Sequence, residues 1–343
     1  MDVTALGSER PAAVPEVLRD RPFTVVNREM EVRPGRVAVP TRLLRERGLS
    51  VRQVADAPLD WPPDEIVLLW GNTVWFPRIV RWFERAPRDR RPTLVLWHVE
   101  PFPPPRDSGL RRPVPRPREL AKIVLRDPRA SDVYSNVWML RRLERAGLPD
   151  VLAVPTRERA AYLRERGTAA VIVPYGYDPE DGRDLRRERD VDVLFLGAAD
   201  MRTRKSALRR LRRAGVRIDV RGDYFDPALW GEPRTELLNR TKIMLSISRF
   251  PGTFGSKRFL IGMSCKALVV SDPLYDPAPF VPGVHFVEAS VGDMPAAIEH
   301  YLTHEDERRA IAERGHDLVT SELTMERSVD ELLRVVGERV AGH

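Results

Sequence analysis

Short apolar runs, too brief for buried helices and little interrupted by polar residues, recur along this chain. Examples are FTVVN (23–27), EIVLLW (65–70), TLVLWHV (93–99), DVLFLG (192–197), KIMLSIS (242–248) and ALVVSD (267–272). A strand that is apolar at nearly every position is buried on both faces, which points to parallel sheet covered by helices. Helical patterns over 41–47, 76–85, 118–125 and 136–146 alternate with these runs, so the chain reads as α/β.

At 343 residues the chain is long for one core, and two domains of about 150 to 180 residues are expected. No apolar run approaches the ~20 residues of a membrane span. The opening residues lack a basic start followed by an apolar segment, and Cys265 is the only cysteine, so a reduced, cytoplasmic protein without disulfides is expected. The 57 basic against 50 acidic residues give a net charge of +7, and all but five of the basic residues are arginine, a bias of GC-rich genomes. Acidic residues interrupt most arginine runs, as in RRERD and RAPRDRR. They read as solvated faces, and no nucleic-acid partner is expected.

The densest functional signal runs from Ser248-Arg249-Phe250-Pro251-Gly252 through Lys257-Arg258-Phe259, ahead of the strand ALVVSD. Gly252 and Gly255 permit close backbone approach, and Arg249, Lys257 and Arg258 supply cationic donors, which together suit a diphosphate. A surface turn with solvated charges would satisfy the same pattern. Gly197 ends DVLFLG, and the next helix carries Arg202, Arg204 and Lys205 near its start, where cations oppose the helix dipole unless an anion compensates them.

From about residue 190 to 335 the ordered series VDVLFLGAAD, RTRKSALRRLRRAG, VRIDVRGD, KIMLSISRFPG, KRFLIGMSCKALVVSDP, PFVPGVHFVEA, YLTHEDERRAIAERG and TMERSVDELL resembles the C-terminal domain of CgeB-like glycosyltransferases. That family is a branch of the GT-B fold related to glycosyltransferase family 4. The resemblance implies α/β GT-B architecture, two Rossmann-like domains with parallel sheets facing a central cleft. Residues 1–180 would form the acceptor-binding domain and 190–325 the nucleotide-sugar domain, with a helix over 326–343 able to cross back to the first. The charged segment 178–190 is the expected linker. By the same resemblance an arginine and a lysine shortly after Gly197 hold the donor diphosphate, here Arg202 and Lys205; with Gly197, Arg249, Lys257 and Arg258 they make the expected diphosphate site, and Gly222, Asp223 and Ser248 are the expected nucleoside contacts. The nucleotide-diphosphate sugar is a co-substrate, and no cofactor is implied. Family members commonly carry E-A-x-A-x-G, whose glutamate bonds the ribose; here Ile261 and Lys266 replace its glutamate and glycine, so the ribose contact is not expected in its usual form.

In the first domain His98 and Glu100 end TLVLWHVE, just before the proline-rich loop PFPPPRDSGLRRPVPRP, which either borders an active site or is a disordered insertion. Either residue could act as base in an inverting reaction, or position and polarise the acceptor in a retaining one. A histidine satisfied within the fold is the alternative. Gly71 and Asn72, at the equivalent edge of the preceding strand, are acceptor-binding candidates. Asp190-Val191-Asp192 matches the metal-binding D-x-D pattern but precedes its strand, away from the ligand edge, so it reads as structural and no metal is expected. The helix in WFPRIVRWFER is basic and amphipathic; packing on the sheet is favoured over lying on an anionic membrane. The tryptophans at 61, 70, 75, 82 and 97 fill core or form an acceptor platform. The expected activity is metal-independent, retaining transfer of a sugar from a nucleotide-diphosphate donor to a small-molecule or glycan acceptor. A nonhydrolysing nucleotide-sugar epimerase and a noncatalytic nucleotide- or sugar-binding protein remain open.

Overall fold

The computed structural model describes residues 12–27, 36–57, 60–71, 75–110, 112, 114, 117–125, 133–199, 201–222, 229–250 and 252–342. The chain forms two compact units. The first comprises residues 1–105, 112–174 and 325–343, the second 106–111 and 175–324.

The N-terminal unit is built on β1 (Phe23–Val26), β2 (Val51–Val54), β3 (Ile66–Gly71), β4 (Thr93–His98), β5 (Val151–Val154) and β6 (Val171–Ile172), paired in the order β2-β1-β3-β4-β5-β6. Every pairing is parallel, with Ile66 opposite Thr93 and Gly71 opposite His98. Its helices are α1 (Val39–Glu46), α2 (Pro77–Arg85), α3 (Pro117–Val124), α4 (Val133–Arg145) and α5 (Arg157–Arg164). All six residues of β3 are buried, as its unbroken apolar sequence requires. Helix α2 presses Ile79, Val80 and Phe83, together with the preceding Phe76, into the same core as Leu69 and Leu94. That is the sheet-packing use expected of this helix.

The C-terminal unit holds β7 (Val191–Leu196), β8 (Asp219–Arg221), β9 (Thr241–Ser246), β10 (Leu268–Ser271) and β11 (Val287–Glu288), all parallel in the order β11-β10-β9-β7-β8. Its helices are α6 (Arg202–Arg213), α7 (Glu232–Asn239), α8 (Ser256–Ser264), α9 (Met294–Thr303) and α10 (Glu305–Asp317). Alternate strand residues enter two cores: Leu194, Leu196, Met244 and Val269 on one face, Val193, Phe195, Ile243, Leu245, Leu268 and Val270 on the other. Two apolar faces per strand are what made these runs look continuous in the sequence. Cys265 is buried in the first of these cores, and burial pushes its thiol up to about 11.

The last helix, α11 (Met325–Ala341), belongs to the N-terminal unit. Arg47, at the end of α1, donates from Nε to Asp330 at 2.7 Å and from Nη2 to the Glu326 carbonyl at 3.1 Å. The chain changes unit between Pro174 and Tyr175, ahead of the charged segment expected as linker. That segment packs on the C-terminal unit instead, because its charges have partners there. Arg234 donates to Asp181, and Arg189 donates to the carbonyls of Thr241 and Cys265. The proline-rich loop is divided as well: Phe102 to Pro105 are buried, while 106–111 belong to the C-terminal unit.

Candidate functional site

In an open parallel sheet, ligands bind beyond the carboxyl ends of the strands where the strand order reverses. In the C-terminal unit that point lies between β7 and β9. Arg258, on the first turn of α8, donates from Nε to the Leu196 carbonyl at 3.2 Å and from Nη1 to the Ile247 carbonyl at 3.0 Å, linking the ends of both strands. Arg204 donates from Nε to the same Ile247 carbonyl at 3.1 Å and from Nη1 to Ala198 at 3.2 Å. The two guanidiniums lie 5.5 and 5.9 Å from the centre of the Phe195 ring. Burial pulls Arg258 down to about 10, with Asp272 opposing and Arg249 reinforcing the shift, so it stays cationic at neutral pH.

Glycines open this edge. Gly197 and Gly222 both have φ +130°, and a Cβ on Gly222 would stand 2.6 Å from the Gly197 nitrogen. The ends of β7 and β8 therefore meet backbone to backbone, a contact closed to any other residue. Asp223 lies outside the described residues, as does Asn72. Ser248 accounts for the third expected nucleoside contact in an unexpected way. Its N–H and Oγ both donate to Asp272, at 2.8 and 2.9 Å, and the two residues brace the turn that carries Gly252. Burial raises the Asp272 carboxyl, while the Ser248 bonds and Arg258 partly offset that.

The expected cations separate into different settings. Arg258 is at the switch point. Arg249 is half-buried nearby, its Nε 3.1 Å from the Met201 sulfur. Lys257 is tied elsewhere: its ammonium donates to Asp181 at 2.5 Å and to the Tyr175 hydroxyl at 2.8 Å. Burial alone would lower Lys257, but Asp181 and Tyr175 outweigh it and hold the ammonium above its ordinary range. Its charge is thus compensated within the chain. Arg202 and Lys205 are exposed on the first turn of α6, whereas Arg204 between them turns inward. The helical period carried this information, since Arg204 is three, four and seven residues before the buried Ala207, Leu208 and Leu211. No comparable signal marks Asp181, whose partners come from distant segments.

At the carboxyl edge of the N-terminal sheet, Gly71 (φ +147°) makes room for Trp75, to which an added Cβ would approach within 2.8 Å. His98 is fully buried and stacks on Phe102 at 4.5 Å, and Phe102 stacks in turn on Tyr162 at 5.5 Å. Neither ring nitrogen has a hydrogen bond of normal geometry among the described residues. Burial lowers its pKa from 6.5 to about 3, Arg159 adds to the shift, and the backbone of Glu100 and His98 offsets a little of it. This corrects the catalytic expectation for His98, because a buried, neutral imidazole meets no substrate and is too weak a base near neutral pH. Glu100 is half-buried, and its charge falls on Arg159. Glu158 and Arg159, 1% and 3% exposed, lie in the stretch RERAAYLRER, where closely spaced charges give no sign of burial.

The His98 environment has a pH consequence. Its folded-state pKa lies below the unfolded value, so its share of stability is complete above pH 6.5 and is lost as the pH falls toward 3. At pH 5 the loss is about 2 kcal/mol, at ~1.4 kcal/mol per pH unit. His98→Phe keeps the stack and removes the proton. Six of the seven tryptophans lie in the N-terminal unit, so melting followed by tryptophan fluorescence reports on it. Between pH 7.5 and 5 the wild type is expected to lose more thermal stability than His98→Phe; equal losses would show that His98 is not buried neutral.

The Glycosyl transferase-like family model matches residues 202–334, which include α6, β9, α8 and β10. Among solved structures, sucrose-phosphate synthase from Thermosynechococcus elongatus matches with a TM-score of 0.63 at 11% identity, covering 94% of this chain and 100% of that one. Anabaena HepE, in complex with UDP and glucose, matches with 0.60 at 8% identity, over 93% and 100%. TarM matches with 0.56 at 10% identity over 80% of this chain and 55% of that one, so the chain spans about half of TarM's length. No curated protein sequence matches. The fold is GT-B, with Rossmann-like units built on parallel sheets of six and five strands. The family model covers residues 202–334 alone, and the likenesses to these solved structures, at 8–11% identity, are likenesses of fold. No helix among the described residues is long and apolar enough to cross a membrane.

Proposed function

We propose that this protein is a metal-independent, retaining glycosyltransferase that moves a sugar from a nucleoside-diphosphate donor to a hydroxyl or other nucleophile of a small-molecule or glycan acceptor. The observation that carries the reading is the pair Arg258 and Arg204, joined to the carbonyl ends of β7 and β9 beside the Gly197–Gly222 opening. Guanidiniums already fixed by strand carbonyls are preorganised for the charge that grows on a departing diphosphate. The N-termini of α6 and α8 bear no acidic residue in their first turns, which also favours an anion there. In this reading the C-terminal unit binds the donor and the N-terminal unit the acceptor, with Glu100 the remaining candidate to orient the acceptor. HepE was solved with UDP-glucose and TarM with UDP, so a uridine donor is the first to test. A nucleotide-sugar donor also suits a cytoplasmic location.

Metal independence is supported by where the D-x-D carboxylates go. Asp190 accepts from Arg240 at 2.8 Å and Asp192 from Lys242 at 2.6 Å, both at the amino end of β7. Their charges are committed to structural pairs at the edge opposite the arginines. A noncatalytic binding role has one observation in its favour. Ile261, in the usual position of the ribose-binding carboxylate, is 5% exposed and packed in the core, and Lys266 takes the left-handed conformation (φ +54°) where the family has glycine. The deciding experiment is turnover of UDP-glucose with an acceptor panel, with and without EDTA, and an NMR assignment of the product anomer. Transfer that survives EDTA with retention is expected. Rescue of an EDTA-silenced enzyme by Mg²⁺ or Mn²⁺ would contradict the proposed electrostatics, and tight UDP binding without turnover would favour the noncatalytic reading.

A further inference from the structure

A cleft of about 860 Å³ opens in the N-terminal unit, bordered by α2, the segment Asp60–Pro63 and the turn Ala86–Arg90. Its size is within the ~300–1,000 Å³ of small-ligand sites. Asp60–Pro63 leads into the start of β3 and Arg90 into the start of β4, so the cleft follows α2 toward the amino edge of the sheet. Gly71, His98 and Glu100, at the carboxyl edge, do not line it.

The amphipathic pattern of α2 makes the lining. Burying Phe76, Ile79, Val80 and Phe83 leaves Arg78, Arg81, Trp82 and Arg85 on the flanks, and all four reach the cleft. Arg78, Arg81 and Arg85 follow at intervals of three and four residues. At 1.5 Å per residue they rise about 4.5 and 6 Å apart along the axis. Arg90 adds a fourth guanidinium, and Asp60 is the one acidic residue in the lining. Of the acids around α2, Glu84 accepts from Arg142 at 2.7 Å, and Asp56 accepts from the backbone N–H groups of Arg78 and Ile79 at 3.1 Å at the start of the helix. Arg81 uses Nε on the Pro77 carbonyl, which fixes its plane. Between the arginines lies an aromatic wall. Trp61, 3% exposed, meets Trp82 edge-on at 4.8 Å and stacks on Phe83 at 5.7 Å, while Trp82 stays half-buried. Pro62, Pro63 and Pro87 complete an apolar border.

We propose that this cleft binds a soluble acidic oligosaccharide, at a carbohydrate site separate from the donor edge of the C-terminal unit. Planar guanidiniums donate to carboxylates two bonds at a time, and their succession along α2 suits a chain that carries more than one anionic group. The indole of Trp82 offers a face for the C–H side of a pyranose. A recess floored by a nearly buried tryptophan suits a discrete ligand better than the plane of a bilayer. The proposal does not depend on the transferase reading, because no residue of the candidate donor site takes part.

The test is titration of trigalacturonate into the wild type, followed by calorimetry and by tryptophan fluorescence, with maltotriose, triglutamate and phosphatidylglycerol vesicles as comparison ligands. Trigalacturonate is expected to bind and to change the fluorescence, with maltotriose at least about tenfold weaker. Binding should weaken as NaCl is raised from 0.05 to 0.5 M. The double variant Arg81→Ser/Arg85→Ser should lose at least about tenfold in affinity while melting with the wild type. Arg90→Ser, outside the helix, should lose part of it and serves if the double variant does not fold. Wild-type trigalacturonate affinity in folded variants would overturn the site. Equal binding of triglutamate would overturn its preference for sugar, and vesicle binding without trigalacturonate binding would make the face a membrane contact instead.

Discussion

Gly222→Val is expected to be the most damaging single substitution at the carboxyl edge of the C-terminal sheet. The new Cβ would lie 2.6 and 2.8 Å from the nitrogen and Cα of Gly197, and the residue would have to hold φ +130°. Backbone cannot swing aside as a side-chain tip can, so β7 and β8 must separate at their carboxyl ends. Strain of this kind costs about 1–3 kcal/mol, and the overlap adds a similar amount. A total of about 3 kcal/mol corresponds to roughly 6–12 °C of melting temperature for a unit of this size. Nucleotide affinity should fall with it. Gly215→Ala is the control: Gly215 has φ +90° but nothing within 4 Å of the added atom, so it should show strain alone. A Gly222→Val protein that melts with the wild type and binds UDP normally would mean that the two strand ends do not meet.

Arg258→Ala is expected to reduce UDP affinity about 30-fold, from about 2 kcal/mol of lost charge-assisted bonding. The variant loses a positive charge at the switch point and the brace between the Leu196 and Ile247 carbonyls. Arg258→Lys should recover little, because an ammonium cannot span both carbonyls while presenting a face to phosphate. Arg204→Ala should weaken binding in the same direction. Arg202→Ala, on the exposed side of the same helix turn, should change it less than twofold. Calorimetric titration with UDP, after matching melting curves, checks all four. Were Arg202→Ala to abolish binding and Arg258→Ala to leave it intact, the phosphate site would lie on the outer face of α6.

The noncatalytic alternative turns on Lys266 and Ile261, and the structure supplies a reason for each. Lys266 is held by Asp184 at 3.3 Å and Glu313 at 2.8 Å, contacts that help to keep a lysine in a conformation suited to glycine. Ile261 fills core space beside Phe259, where an unpaired glutamate would be costly. Both replacements therefore fit this chain's own packing and do not by themselves remove a donor site built on Arg258.

Sequence alone determined the class of the fold, because strand burial on two faces and helix burial on one are periodic properties written into neighbouring residues. The runs that became β3, β4, β7, β9 and β10, the apolar face of α2 and the glycine that ends β7 were all legible for that reason. Even the inward turn of Arg204 was present in its spacing from Ala207, Leu208 and Leu211, although Arg202 and Lys205 were the residues expected at the site. What only the tertiary structure decided were pairings between distant segments. Lys257 looked like a phosphate ligand until Asp181, 76 residues earlier, took its charge. His98 looked like a base at an open strand end, but packing buries it completely, and Arg159, 61 residues later, adds to the fall in its pKa. Local periodicity specifies which face a side chain occupies. Whether that face meets solvent, a partner charge or another ring depends on packing between elements that no short window of sequence contains.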